Sequence, residues 1–202
     1  MTDYQLILSN LQFLKFLLGG FFAYSVVVAY NVMTPFLMQN ILNISATNYG
    51  YLALLIGIPY YLASSYNKKL VLKFGIRPIF VLGYILVILA GIAMMILSFA
   101  KKPNLSYIMI PMMIATFGQA FIFSNTLSCA LQQFSPKSGG KSSAIFSSLQ
   151  MIMVSIFSAI IATLPNNNIW SLALVVTTLG VCCAIVLITD SKTKLKARNV
   201  RY

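Results

Sequence analysis

Long apolar stretches alternate with short polar segments along the whole chain. Six such runs follow one another, separated by segments that contain Asn, Lys, Pro or Gly. Each run is close to the ~20 residues that a helix needs to cross the hydrocarbon core of a bilayer. In lipid the runs must be helical, because an unpaired backbone amide finds no water there. The pattern predicts six transmembrane helices, over Phe16–Met38, Tyr49–Tyr66, Ile79–Phe99, Tyr107–Leu131, Ser142–Leu164 and Ile169–Thr189.

The segments outside these spans are too short to form a separate domain. Residues 1–15 mix leucines with polar side chains, which indicates a position at the membrane interface or a continuation of the first span. A basic tail occupies residues 190–202 after the last span. We therefore expect one transmembrane domain over residues 1–202, and an all-α polytopic membrane protein as the fold class.

Composition excludes a soluble monomer. Hydrophobic residues make up 59% of the 202 residues and charged residues 8%, whereas a soluble domain carries about 25% charge. The chain has no His, and its three Cys lack the spacing of a disulfide framework or a metal site. No Asp or Glu lies inside a predicted span. We therefore expect no metal, no cofactor and no enzymatic activity.

The basic residues are distributed unequally between the two sides of the membrane. Six spans place both termini on one side, and that side carries twelve of the 14 Lys and Arg residues. Only Lys101 and Lys102 lie on the other side. The positive-inside rule then predicts cytoplasmic termini in the cell inner membrane. The bases stand in short clusters between spans, which argues against nucleic acid as a partner. The twelve are Lys15, Lys68, Lys69, Lys73, Arg77, Lys137, Lys141, Lys192, Lys194, Lys196, Arg198 and Arg201.

Polar side chains are confined to particular spans. Amides occur in the first, fourth and fifth spans, and a Tyr pair follows Pro59 in the second, whereas the third and sixth contain no amide. A polar side chain within a membrane needs a partner or water. The polar helices should therefore face a cavity or each other, while the third and sixth face lipid. This sequence of two inner helices and one outer helix, repeated twice, resembles the three-plus-three inverted repeat in half of a major facilitator transporter.

Six side chains are candidates for a substrate cavity. An apolar and aromatic wall with a few amides is typical of a site for a lipophilic small molecule. Gln119 shares a helix face with Phe123. Asn125 lies six residues after Gln119, so its side chain points about 120° away from that of Gln119. The alternative is that these side chains form hydrogen bonds between helices and only contribute to packing. The candidates are Tyr24, Asn31, Tyr60, Gln119, Asn125 and Gln150.

Several motifs resemble helices seven to twelve of the bicyclomycin-resistance (Bcr/CflA) drug:proton antiporters. Thr34-Pro35-Phe36 is similar to the turn that ends helix seven of that family, and Tyr49-Gly50 to the aromatic-glycine pair that follows it. The loop with Lys73, Gly75 and Arg77 looks like a degenerate second copy of the major facilitator loop signature D-R-x-G-R-[KR], in which Leu72 stands where the acid would be. The stretch from Gly118 to Gln150 resembles helices ten and eleven.

This resemblance implies half of a multidrug efflux antiporter that confers drug resistance. It also implies that the proton-coupling acids belong to the first six helices, and the only acids here, Asp3 and Asp190, lie outside the spans. The missing half would come from a separate six-helix N-terminal polypeptide or from a second copy of this chain. Alternatively, the protein is a non-transporting remnant or an accessory membrane protein from a split transporter gene.

Overall fold

A computed structural model describes residues 3–100, 104–135, 138–164 and 168–188. Thr189, the tail 190–202 and the loop residues Lys101, Lys102 and Lys137 lie outside this part of the chain. The described residues are helical apart from short connections, as the sequence predicts. The helices are α1 (Asp3–Leu8), α2 (Leu11–Phe36, continued by a π-helical turn over Leu37–Ile41), α3 (Ala46–Phe74), α4 (Ile76–Ser98), α5 (Ser106–Leu131), α6 (Gly139–Ala162) and α7 (Ile169–Ile188).

Five helices in the described ranges are long and apolar enough to cross a membrane. They occupy Leu11–Ile41, Ile76–Ser98, Ser106–Leu131, Gly139–Ala162 and Ile169–Ile188. The second predicted span falls in α3, which has 29 residues and is therefore about 43 Å long. Its length is sufficient for a membrane span, but its tyrosines, Pro59 and three lysines make it less apolar than the other five.

The first two long helices extend beyond the predicted spans. α2 begins at Leu11 rather than Phe16, because the Asn10 side chain accepts hydrogen bonds from the backbone N–H groups of Gln12 and Phe13, both at 3.0 Å. Such a cap satisfies donors that a helix start leaves unpaired. Only residues 11–15 continue the helix of the first span, since α1 ends at Leu8 before α2 begins at Leu11.

The predicted loop between the second and third spans is largely helical. α3 continues to Phe74 and α4 begins at Ile76, so that Gly75 alone separates them. Residues 67–74 contain neither Pro nor Gly, and nothing in this segment ends the helix before Gly75. The Gly75 φ angle is 85°, a region that glycine adopts without steric cost, and its N–H donates to the Val71 carbonyl at 2.8 Å.

The bundle is built around the pair α2 and α5. α4 packs against α5, α7 packs against α2, and α4 and α7 also pack against each other. α3 lies beside α5, and α6 lies beside α2. The two helices without amides, α4 and α7, therefore cover one side of the central pair together.

Glycines bring the backbones of α4, α5 and α7 close together. A Cβ atom added to Gly118 would lie 2.6 Å from the Gly83 carbonyl oxygen, and one added to Gly91 would lie 2.9 Å from the Thr177 backbone nitrogen. Helices in lipid associate largely through such close packing, because lipid tails are as apolar as the helices themselves. Gly83 thus permits the close approach of α4 to α5, and Gly91 that of α4 to α7.

We predict that Gly118→Ala destabilises the bundle by about 1–3 kcal/mol, because the new methyl group must displace the backbone of α4. The melting temperature of the purified protein in detergent should fall accordingly. Gly57→Ala is the matched control, since no atom lies within 4 Å of a Cβ added there in α3. Equal melting temperatures for the two variants would contradict this account of the α4–α5 contact.

Candidate functional site

One face of α2 is covered only in part by the other described helices. Its residues recur at helical spacing and are half-buried or exposed, although α2 packs against α5, α6 and α7 on its other sides. Asn31, one of the cavity candidates, is exposed, and Tyr24, another, is half-buried. We call this surface the α2 open face, and it consists of Phe21, Tyr24, Val28, Asn31 and Pro35.

Aromatic rings from three neighbouring helices border the α2 open face. The Tyr24 ring centroid lies 5.7 Å from that of Phe123 in α5. The Phe21 ring meets Phe157 of α6 edge-on, with centroids 6.0 Å apart. Tyr60 of α3 is half-buried and lies near Tyr24. The open face therefore continues onto α3, α5 and α6.

The chemistry of this surface fits a cavity wall better than a lipid contact. Phenol and amide groups lose hydrogen bonds when they face hydrocarbon, so polar side chains in spans turn towards the bundle interior or water. Small-molecule sites combine apolar and aromatic walls with a few polar groups that fix orientation. Tyr24, Asn31 and Tyr60 supply those groups here, beside Phe21, Phe123 and Phe157.

Asn125 lies in an interhelical contact instead. It forms a reciprocal amide pair with Asn67 of α3: the Asn67 Nδ2 donates to the Asn125 Oδ1 at 3.2 Å, and the Asn125 Nδ2 donates to the Asn67 Oδ1 at 2.9 Å. The Asn125 Nδ2 also donates to the Phe121 carbonyl at 2.7 Å. Both side chains are buried. The pair therefore joins α3 to α5, which corresponds to the packing alternative for this residue.

Gln150 also connects two helices. Its Nε2 donates to the Gly20 carbonyl of α2 at 3.3 Å. The Phe146 ring of α6 packs beside the same residue of α2, since a Cβ added to Gly20 would lie 3.0 Å from the Phe146 Cζ atom. Gln150 is buried, and it holds α6 against α2.

Gln119 occupies a third kind of environment. The side chain is 1% exposed, yet its Oε1 accepts no hydrogen bond from any described residue. The Ser25 Oγ of the neighbouring helix α2 is likewise buried without such a partner. Gln119 lies one helical turn from Phe123, which borders the α2 open face. It is therefore a polar group next to that face but not part of its exposed surface.

Two further sequence motifs meet at the C-terminal end of α2. The hydroxyls of Thr34 and Tyr49 lie 3.1 Å apart, which joins the Thr34-Pro35-Phe36 segment to Tyr49-Gly50. A depression of about 320 Å³ near this contact is lined by Ile44, Asn48, Tyr51, Leu52 and Leu105, and none of the six cavity candidates lines it.

The loop residues Lys73, Gly75 and Arg77 lie at the α3–α4 turn, and all three are exposed. Lys73 is near the end of α3, Gly75 follows that helix, and Arg77 is at the start of α4. These three residues do not contribute to the open face. Within the described residues, no group of three or more His, Cys, Asp or Glu side chains could hold a metal ion.

Sequence reasoning missed Asn67, Phe21 and Phe157. Asn67 was expected in a loop, although the absence of Pro and Gly up to Gly75 was a signal that α3 continues past it. Phe21 could have been found from its helical spacing with Tyr24 and Asn31. Phe157 has no distinguishing pattern in the sequence, because its role depends on how α6 packs against α2.

Comparison with known proteins identifies one family. The family model described as Major Facilitator Superfamily matches residues 2–158, which extend from α1 into α6. No curated protein sequence and no solved structure gives a significant match to the chain.

We predict that Asn67→Ala and Asn125→Ala each destabilise the protein by about 1–3 kcal/mol, because each leaves a buried amide without its partner. The double variant should cost less than the sum of the two, since neither amide then remains unpaired. The free energies of unfolding of the unsubstituted protein, the two single variants and the double variant, measured in detergent, give the interaction energy between the two amides. Strict additivity would show that the two amides do not interact.

Proposed function

The chain belongs to the Major Facilitator Superfamily, and we propose that it forms one six-helix half of a proton-coupled exporter of lipophilic small molecules. Membership in this family makes the protein a membrane transporter in general terms. The α2 open face is the observation that carries the more specific proposal. It combines phenol, amide and aromatic groups on a surface that the other described helices cover only in part.

The helix contacts support two repeats of three helices. Exchanging α2, α3 and α4 with α5, α6 and α7 leaves the main contacts unchanged. Under this exchange the α3–α5 contact becomes the α6–α2 contact, and the α4–α5 contact becomes the α7–α2 contact. This correspondence is what a three-plus-three repeat would produce. In this proposal α3 also spans the membrane, in addition to the five more apolar helices, and its lower hydropathy suits a helix that borders a cavity.

A second six-helix unit would complete the cavity. It would cover the α2 open face, and it could lie in the same polypeptide, in a separate one or in a second copy of this chain. Substrate would then contact Tyr24, Asn31 and Tyr60 directly, with Gln119 next to them. Asn125 and Gln150 would instead hold the helices that shape the wall, since both form interhelical hydrogen bonds.

Energy coupling would reside in the other unit. Proton antiport requires a membrane-embedded group that gains and loses a proton, and a buried carboxylate usually provides it. The sequence has only Asp3 and Asp190, both outside the six spans. We place both termini in the cytoplasm of a cell inner membrane, because twelve of the 14 basic residues lie on that side of the proposed topology.

The lack of an intramembrane acid also suits a second function. A remnant or accessory subunit from a split transporter gene would bind other helices through the same open face and would transport nothing. The two functions differ in whether the polar side chains of the open face influence substrate selection.

We predict that Asn31→Leu changes the substrate profile of the exporter while the amount of folded protein stays normal, because Asn31 is exposed on the open face. Gln119→Leu should act in the same direction. Gln150→Leu is the contrasting variant, because it removes the hydrogen bond to the Gly20 carbonyl and should lower the amount of folded protein without changing specificity. Resistance profiles and membrane expression levels measure both effects. Loss of folded protein in Asn31→Leu with unchanged specificity would favour the non-transporting function.

We also predict that proteoliposomes containing only residues 1–202 show no substrate movement when a pH gradient is imposed, because these residues place no titratable carboxylate in the membrane. Addition of a matching six-helix first half should restore movement. Proton-driven export by residues 1–202 alone would overturn the assignment of coupling to the other unit.

A further inference from the structure

The α3–α4 turn carries several basic and apolar side chains that are exposed. Lys68, Lys69, Lys73 and Arg77 are all exposed, and we call them the α3–α4 basic turn. Two large apolar side chains project among them: Leu72 is 72% exposed and Phe74 54%. Exposed apolar side chains next to lysines are typical of a helix segment in the headgroup region of a membrane.

The fold fixes the position of this surface. Asn67 immediately precedes Lys68, and its amide pair with Asn125 attaches the end of α3 to α5. The single residue Gly75 then turns the chain into α4. The bases are therefore presented by two packed helix ends and not by a long loop.

Two of the lysines lie next to aromatic rings. The Lys73 Nζ atom is 5.1 Å from the centroid of the Phe74 ring, and the Lys69 Nζ atom is 5.9 Å from that of Tyr66. These distances are within the range of cation–π interactions. They keep each ammonium group beside an apolar surface, as in a side chain at the boundary between headgroups and acyl chains.

The chain itself offers almost no negative charge to this surface. Its net charge is +12, and no Asp or Glu occurs between Asp3 and Asp190. The helices that surround the turn therefore supply no carboxylate. A counter-anion for Lys69, Lys73 and Arg77 therefore comes from outside these helices.

We propose that the α3–α4 basic turn binds the headgroup of an anionic phospholipid. Lys69, Lys73 and Arg77 contact the phosphate, while Leu72 and Phe74 insert between the first carbons of the acyl chains. A basic side chain close to an anionic membrane surface strengthens binding by about a factor of five. The site belongs to the folded protein and does not depend on the presence of a second transporter half.

Titration of the detergent-solubilised full chain with phosphatidylglycerol, followed by native mass spectrometry, tests this proposal. Phosphatidylcholine is the zwitterionic comparison, and glycerol phosphate is the soluble anion that lacks acyl chains. Lys69→Gln/Lys73→Gln should weaken phosphatidylglycerol binding by at least about fivefold. Lys101→Gln/Lys102→Gln removes the same charge from the segment proposed to lie on the opposite side of the membrane, and it should leave this binding unchanged.

The variant Lys69→Arg/Lys73→Arg keeps the charge and should retain the affinity, which separates loss of the site from loss of the fold. Three results would overturn the proposal: equal affinity for phosphatidylglycerol and phosphatidylcholine, equal weakening by the two Gln double variants, or binding of glycerol phosphate as tight as that of the lipid.

Discussion

The cost of burying a polar group away from water governs the arrangement of this protein. Burial of an amide without a hydrogen-bond partner costs about 1–3 kcal/mol of stability. Lipid tails provide no such partner. The helix bundle meets this constraint in two ways for three of the four amide candidates, whereas the Gln119 Oε1 is buried without a partner among the described residues. Asn125 pairs with Asn67, and the Gln150 amide donates to the Gly20 carbonyl, so these side chains join helices. Asn31 has no such contact and lies on the exposed surface of α2.

This division between paired and exposed polar groups separates packing from binding. The helices α4 and α7 carry no amide and approach their neighbours through glycine, as at Gly91 against Thr177. Their tight, apolar contacts cover one side of the central pair α2 and α5. The α2 open face keeps two phenols near it and an exposed amide, which are the groups that the proposed substrate cavity requires.

Much of the fold could be predicted from the sequence, because an apolar run long enough to cross a bilayer has to form a helix there. The apolar runs identified α2 and α4 to α7. The roles of the individual amides could not be read in the same way. Asn31 and Asn125 look alike in sequence, and only the position of Asn67 on an adjacent helix distinguishes them. That position depends on the extension of α3 to Phe74, past the end of its apolar run.

The central claim is that the α2 open face borders a water-accessible cavity and not lipid. Reaction with a membrane-impermeant maleimide tests it in membrane vesicles, in a background with Cys129, Cys182 and Cys183 replaced by Ala. Asn31→Cys should react at least about tenfold faster than Leu89→Cys, a position exposed on the outer side of α4, because the reactive thiolate does not form in an apolar environment. Equally slow reaction at both positions would place Asn31 against lipid and contradict the account.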